Sequence, residues 1–313
     1  MVRRPMPGIS LGDYIHALHV RVPAAFVFVV DGLRRCMKLR VSLSGQFMAE
    51  TARNDVWAQG AGYEHYVGRW SRLVAAGFLR WIAIPPGKTW LDVGCGTGAL
   101  SQQILDSCAP AKVLGVDSSD GFIAHAKAHV IDSRAEFRTG DARALPADDA
   151  VFDAVVSGLV LNFVPDQFKA ASEMRRVARR GATAAVYVWD YAGEMQLMRK
   201  FWDAAIALNP KARDLDEGLR FPICRPEALR DLFTAAGLRD VETRAIDVPT
   251  VFEGFDDYWS PFLAGQGPAP GYCMSLAEAD RHALRERLKA SLPSGGDGQI
   301  RLTARAWAVR GIV

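Results

Sequence analysis

In "WLDVGCGTGAL", residues 90–100, glycines stand at 94, 96 and 98, and one carboxylate, Asp92, is set inside the apolar run before them. Closely spaced glycines let a ligand approach the backbone and place it at the start of the next helix. Gly94, Gly96 and Ala99 satisfy the loose form of a dinucleotide-binding turn, and Asp117 closes the next apolar run. A carboxylate at that place takes ribose hydroxyls. These residues specify an adenosine-type ligand more firmly than they specify a reaction. Asp92 adds a sign, since an acid beside the turn favours a cationic cofactor or an amino-acid head group over an anionic pyrophosphate. In "TGDARALP", Asp141 stands past a third apolar run, where its carboxylate and the following backbone amide can meet an adenine edge.

Such residues need a scaffold, and the chain alternates as a parallel sheet requires. "TWLDV", "KVLGVD", "AEFRTGD", "FDAVVSGLVLNF" and "ATAAVYVW" read as strands; apolar without strict alternation, they belong in a sheet covered on both faces. Between them "ALSQQILDSC" reads as a helix, and "SDGFIAHAKAHVI" as one that Ser118, Ser119 or Asp120 can cap. "FKAASEMRRVARR" reads as a helix with a basic end, closed by Gly181. Ahead of the sheet, residues 63–84 fit a helix eased near Gly68 and Gly77 and stopped by "IPPGKT". Beyond it, residues 191–220 look helical, "RPEALRDLFTAAGL" is a helix and "RDVETRAIDV" a strand. A charged amphipathic helix then runs from Leu276 to Leu292, and "QIRLTARAWAVRGIV" alternates like an exposed-edge strand.

The net charge of +3 is unevenly spread: residues 1–46 hold seven Lys or Arg against two Asp, which leaves 31 basic and 33 acidic residues for the rest. The body therefore has no bulk electrostatic reason to bind nucleic acid. Residues 1–46 read as a poorly defined basic extension, and residues 47–313 as one domain. In the extension, "VPAAFVFVV" is too short to span a bilayer, which takes about 20 apolar residues, so no stable membrane insertion is expected. Five scattered cysteines point to a reducing, cytoplasmic setting. No ligand spacing for a metal is seen.

In this order and spacing, "LDVGCGTG", "GVDSS", "GDARALP" and "FDAVVSGLVLNF" resemble the class I S-adenosylmethionine-dependent methyltransferases, and most nearly their small-molecule branch, which includes quinone-ring methyltransferases. The resemblance covers residues 63–244. With the strand reading it implies an α/β fold: a Rossmann-like, seven-stranded, mostly parallel sheet with an antiparallel last strand and helices on both faces. Its cofactor is S-adenosyl-L-methionine. By similarity, Gly94 and Gly96 line the methionine side, with Asp92 near the ammonium group, Asp117 on the ribose hydroxyls and Ser118 beside it. Asp141 and Ala142 flank the adenine, Ser157 contacts the methionyl end, and Tyr66 closes over the cofactor. Plainer readings stand beside these: Asp92 as an anchor and Asp141 as a former of their turns, Ser157 as a strand-end residue, Tyr66 as core packing.

Methyl transfer from a sulfonium is an in-line displacement from a strong leaving group, so positioning in a dry pocket outweighs acid–base chemistry. The candidates for proton handling or acceptor contact are His65, Asn162, Asp190 and Tyr191. Insertions at 191–220 and 249–292, the second rich in aromatic residues, are expected to form the side facing a small, apolar or aromatic acceptor. Two other functions remain on the residues alone: a protein that binds S-adenosylmethionine without turnover, and an NAD-dependent oxidoreductase.

Overall fold

Short apolar runs build the sheet. The computed structural model describes residues 68–265, 267–293 and 295–313. The basic segment 1–46 and the candidates His65 and Tyr66 lie outside the described residues. Helix α1 (Arg69–Ile82) leads into β1 (Thr89–Val93), α2 (Ala99–Ser107), β2 (Lys112–Asp117), α3 (Asp120–His129) and β3 (Ala135–Thr139). Next come β4 (Phe152–Gly158), α4 (Gln167–Val177) and β5 (Ala178–Trp189). After α5 (Gln196–Leu208), α6 (Glu217–Arg220) and α7 (Pro226–Ala235), the chain forms β6 (Arg239–Phe252). Helices α8 (Phe255–Trp259), α9 (Pro268–Ser275) and α10 (Glu278–Ser291) precede β7 (Ile300–Ile312).

Seven strands form one sheet in the order β3-β2-β1-β4-β5-β7-β6. The first five run parallel, and β7 is antiparallel to both of its neighbours. Trp90, Leu91, Val113, Ala154, Val155, Val156 and Val186 are buried, because helices cover a parallel sheet on its faces. The strand order reverses between β1 and β4, so the turn after β1 lies at the switch point where open α/β sheets take their ligands.

Three local expectations are corrected. Helix α1 is not eased at Gly77; the helix is continuous there, and a Cβ at Gly77 would come within 2.8 Å of Ile246 Cγ2, so the missing side chain lets β6 pack close. Helix α4 stops at Val177, before the second pair of arginines. Arg179 and Arg180 belong to β5, and Gly181 sits at φ +81 inside a register shift between β4 and β5. It serves a bulge rather than a helix stop. The last strand is no edge. Its alternation comes from arginines that pair across to β6, Arg305 with Asp247 at 2.6 Å and Arg310 with Glu242 at 2.9 Å, while Ala304, Ala306 and Ala308 are fully buried between two neighbours. The edge is β6, which extends to Phe252 and carries Pro249, a residue without the N–H that an inner strand needs. The second insertion therefore starts after Phe252.

Among the described residues no helix is long and apolar enough to cross a membrane. Nor could any group of three or more His, Cys, Asp or Glu among them hold a metal ion.

Candidate active site

The glycine turn is tied to the sheet from below and open above. Gly94 and Cys95 donate their backbone N–H groups to Val116 O, at 2.7 and 3.1 Å, which bends the chain over the end of β2. Gly94 has φ +72, and a Cβ there would meet Val160 Cγ1 at 2.4 Å; only glycine lets the loop after β4 lie this close. Gly96 has φ +52, and a Cβ there would meet nothing within 4 Å among the described residues. One glycine is closed off by protein, and the next faces open space.

Asp117, at the end of β2, holds two loops at once. Its Oδ2 accepts from Gly96 N at 3.0 Å and its Oδ1 from Ser119 N at 2.9 Å. The carboxylate thus stands beside the turn with lone pairs to spare, since a carboxylate has about four acceptor positions. Ser118 is exposed next to it, while Ser119 Oγ caps α3 by accepting from Phe122 N.

Asp92 is buried between β2 and β4, opposite Gly115 and Val156. Its Oδ2 accepts from Ser101 Oγ at 2.7 Å, and its Oδ1 has no hydrogen-bond partner among the described residues. Burial pushes its carboxyl up to about 7, and the charge of Asp117 adds to the rise, against the Ser101 bond. A cation near its unpartnered oxygen would stabilise the ionised form.

Asp141 forms its own turn. Arg143 donates to it from its backbone N and its guanidinium at 2.7–3.1 Å and lowers its carboxyl below the usual value. Ala142 is half-buried beside it. Ser157 is buried near the end of β4 opposite Val186. In the turn Leu161–Phe163 that follows, Asn162 is 5% exposed, and both its amide oxygen and its amide nitrogen lack a hydrogen-bond partner among the described residues. Asp190, past β5, accepts from Glu194 N at 2.9 Å and its carbonyl accepts from Gly193 and Met195, so it anchors the entry to α5. Tyr191 is buried with its ring 5.6 Å from that of Phe221.

A sequence profile described as a methyltransferase domain matches residues 91–186, which runs from β1 through most of β5. A demethylmenaquinone methyltransferase of Roseiflexus castenholzii is 39% identical over 181 residues, which cover 53% of this chain and 74% of the relative. The chain belongs to the class I S-adenosylmethionine-dependent methyltransferases. A 2-methyl-6-phytyl-1,4-hydroquinone methyltransferase of Synechocystis is 31% identical over 188 residues, 59% of this methyltransferase and 57% of the relative, little more than half of its length. Among solved structures, the YcgJ protein of Bacillus subtilis matches with a TM-score of 0.51 at 18% identity, over 76% of this chain and 97% of that one. The phosphoethanolamine N-methyltransferase 2 of Haemonchus contortus, solved with phosphomonomethylethanolamine and S-adenosylhomocysteine, matches at 0.52 and 16%, over 80% of this chain and 56% of that one. Both likenesses concern the fold.

Sequence reasoning missed one group in this methyltransferase. Glu217, on α6, is fully buried, accepts from Trp202 Nε1 of α5, and is pushed up to about 8 by desolvation. Beside it Asp216 caps α6 through Gly218 N and takes a bidentate pair from Arg199 at 3.0 and 2.8 Å. In "DLDEGLR" Glu217 looks like any solvated acid in a first helical turn. Its burial follows from Trp202, fifteen residues earlier and on another helix, and no local pattern announces it.

The aromatic residues of the second insertion turn inward. Tyr258, Trp259 and Phe262 are buried, Phe262 stacks on Phe201 of α5 at 4.4 Å, and Tyr258 Oη donates to Leu197 O at 3.0 Å. The segment buttresses α5, and only Phe255 and Tyr272 are partly exposed.

Proposed function

We propose that this methyltransferase transfers the methyl group of S-adenosylmethionine to a small, neutral, aromatic acceptor of the quinol type, by in-line displacement. The observation that carries the cofactor half is the open space above Gly96 with Asp117 bonded to that same residue. The residues present suit the cofactor: an orphaned Asp92 oxygen for a cationic group, and a carboxylate with free lone pairs at Asp117 for paired hydroxyls. In this reading Gly94 and Gly96 line the methionine side, Ser157 stands near its end, Asp141 and Ala142 flank the base, and Ser118 borders the sugar. When bound, the cofactor supplies an activated methyl group; the protein's share is to hold the acceptor in line and keep water away.

The acceptor half is supported by the relatives, named for a hydroquinone and for demethylmenaquinone. It also accords with the groups on that side. Asn162 is neutral, Phe163, Tyr191 and Phe221 are aromatic, and Glu217 keeps its proton below about 8. Arg199 is committed to Asp216 and Asp203. The unpaired cysteines fit a cytoplasmic setting.

The test is twofold. A thermal-shift comparison should show stabilisation by S-adenosylmethionine and none by NAD, and incubation with a reduced demethylmenaquinone analogue should yield the methylated ring. Stabilisation by NAD instead would sink the cofactor half; S-adenosylmethionine binding without any product would sink the acceptor half. For Asp117→Ala we expect affinity for S-adenosylhomocysteine to fall by about 1.5–3 kcal/mol, the worth of a hydrogen bond to a charged group. Asp120→Ala, which removes only an exposed bond to Thr139, should leave it unchanged. Calorimetry on both folded variants checks the pair.

A further inference from the structure

Asn162 carries an amide that the fold itself does not use. The residue is 5% exposed, and neither its amide oxygen nor its amide nitrogen has a partner among the described residues. Buried polar groups are nearly all bonded, and an exception asks for a ligand or a functional reason. A structural asparagine would cap a helix or bridge two loops; this one does neither. Its position is held firmly. Leu159, three residues earlier, adopts φ +62, a conformation disfavoured for a large side chain. Val160 packs where a Cβ of Gly94 would be, so the loop bearing Asn162 lies directly against the glycine turn. The following residue, Phe163, meets Phe221 edge-on at 5.2 Å, and Phe221 meets Tyr191 at 5.6 Å. An amide that offers both an acceptor oxygen and a donor nitrogen, followed in the chain by a member of an aromatic cluster, complements a group that also gives and takes a hydrogen bond and sits on a flat apolar frame. A hydroxyl on an aromatic ring meets both conditions.

We propose that Asn162 recognises the hydroxyl of the acceptor, its Oδ1 accepting from the O–H and its Nδ2 donating to the same oxygen, and that the acceptor is therefore a neutral hydroxyarene. This rests on the methyl-transfer reading above and adds to it the residue that reads the acceptor's hydroxyl. Asn162 is a recognition residue in this proposal: it holds the ring and takes no proton.

The test uses the full chain, saturated with S-adenosylhomocysteine, and two probes of nearly the same shape: naphthohydroquinone kept reduced under argon, and its dimethyl ether. Tryptophan-fluorescence titration of the wild type should show the hydroquinone binding about tenfold or more tightly than the ether. Asn162→Leu should lose that preference, bind the hydroquinone about tenfold or more weakly, and keep the wild-type affinity for S-adenosylhomocysteine. With an unpaired amide removed from the interior, its Tm should rise by about 2–4 °C, whereas a structural role would lower it. The comparison of the two probes on the wild type stands even if the variant does not fold. Equal binding of both probes by the wild type overturns the proposal. So does undiminished hydroquinone binding by the variant, as when the amide merely holds water, or a matching loss of S-adenosylhomocysteine, which would assign the amide to the cofactor. A wild type that binds S-adenosylhomocysteine but not the hydroquinone ends this inference and the quinol-type acceptor with it, and leaves the cofactor half standing; one that binds no S-adenosylhomocysteine ends the methyl-transfer reading instead.

Discussion

Gly96→Val should fold and yet lose S-adenosylmethionine almost entirely. A Cβ added there meets nothing within 4 Å among the described residues, so the substitution leaves the packing around the turn in place. What it does is project into the open space above the backbone, where a ligand must approach. A β-branched residue at φ +52 also strains the backbone, at a cost of about 1–3 kcal/mol, so a modest fall in Tm is expected with the fold retained. Gly96→Ala should show a milder form of both effects. The matching change at Gly94 is uninformative, because its side chain would strike Val160 and disturb the loop that carries Asn162. Calorimetry on the folded valine variant decides the matter: wild-type affinity for S-adenosylmethionine would remove the turn from the cofactor site.

The second large effect is on stability against pH. Desolvation raises the carboxyl of Glu217 from 4.5 to about 8 in the folded protein. Between those values the folded chain keeps a proton that the unfolded chain has released, so stability falls as pH rises through the window. For a fully buried group the loss is on the order of 3–5 kcal/mol by the alkaline end. Asp92 adds a loss of the same sign, between 3.8 and about 7. Glu217→Gln can still accept from Trp202 and cannot ionise. Urea unfolding at about pH 5 and about pH 9 should show the variant more stable than the wild type at the alkaline pH and nearly level with it at the acidic one. The slope left in the variant should belong to Asp92 and, towards the alkaline end, to the thiols of Cys95, Cys224 and Cys273, which burial also raises. A wild type equally stable at both pH values, or a variant with an unchanged slope, would refute the assignment.

The sequence was most readable where a segment's surroundings are uniform. Strands such as "TWLDV" and "KVLGVD" are apolar on both faces because helices cover both, and the glycine turn between β1 and α2 has few other uses. Asp117 could be read as a ligand-side acid because it closes a strand next to that turn. The two hydrogen bonds it accepts, from Gly96 N and Ser119 N, came only with the fold. Reading failed where one pattern serves two environments. In β7 the alternation of Arg and Ala resembles an exposed edge, but the arginines spend their charge on Asp247 and Glu242 of the neighbouring strand. In "RRVARR" the basic residues hid a boundary, since Val177 and Ala178 are buried and pass directly from helix to strand. The aromatic residues after Phe252 suit a pocket wall or a core equally by composition; packing on Phe201 decided for the core. Asn162 was a candidate by position alone, and its unpaired amide is a fact of three dimensions. Glu217 carried no signal, because the indole that meets it lies on a different helix.

The placement of β7 bears on how the molecule is assembled during synthesis. Strands β5 and β6 run in the same direction and do not touch in the ladder; the strand that joins them is made after both. On the ribosome the nascent protein therefore displays two bare flanks until that later strand slides between them. For that interval it depends on delay, dilution or a chaperone to keep those flanks from pairing with another chain.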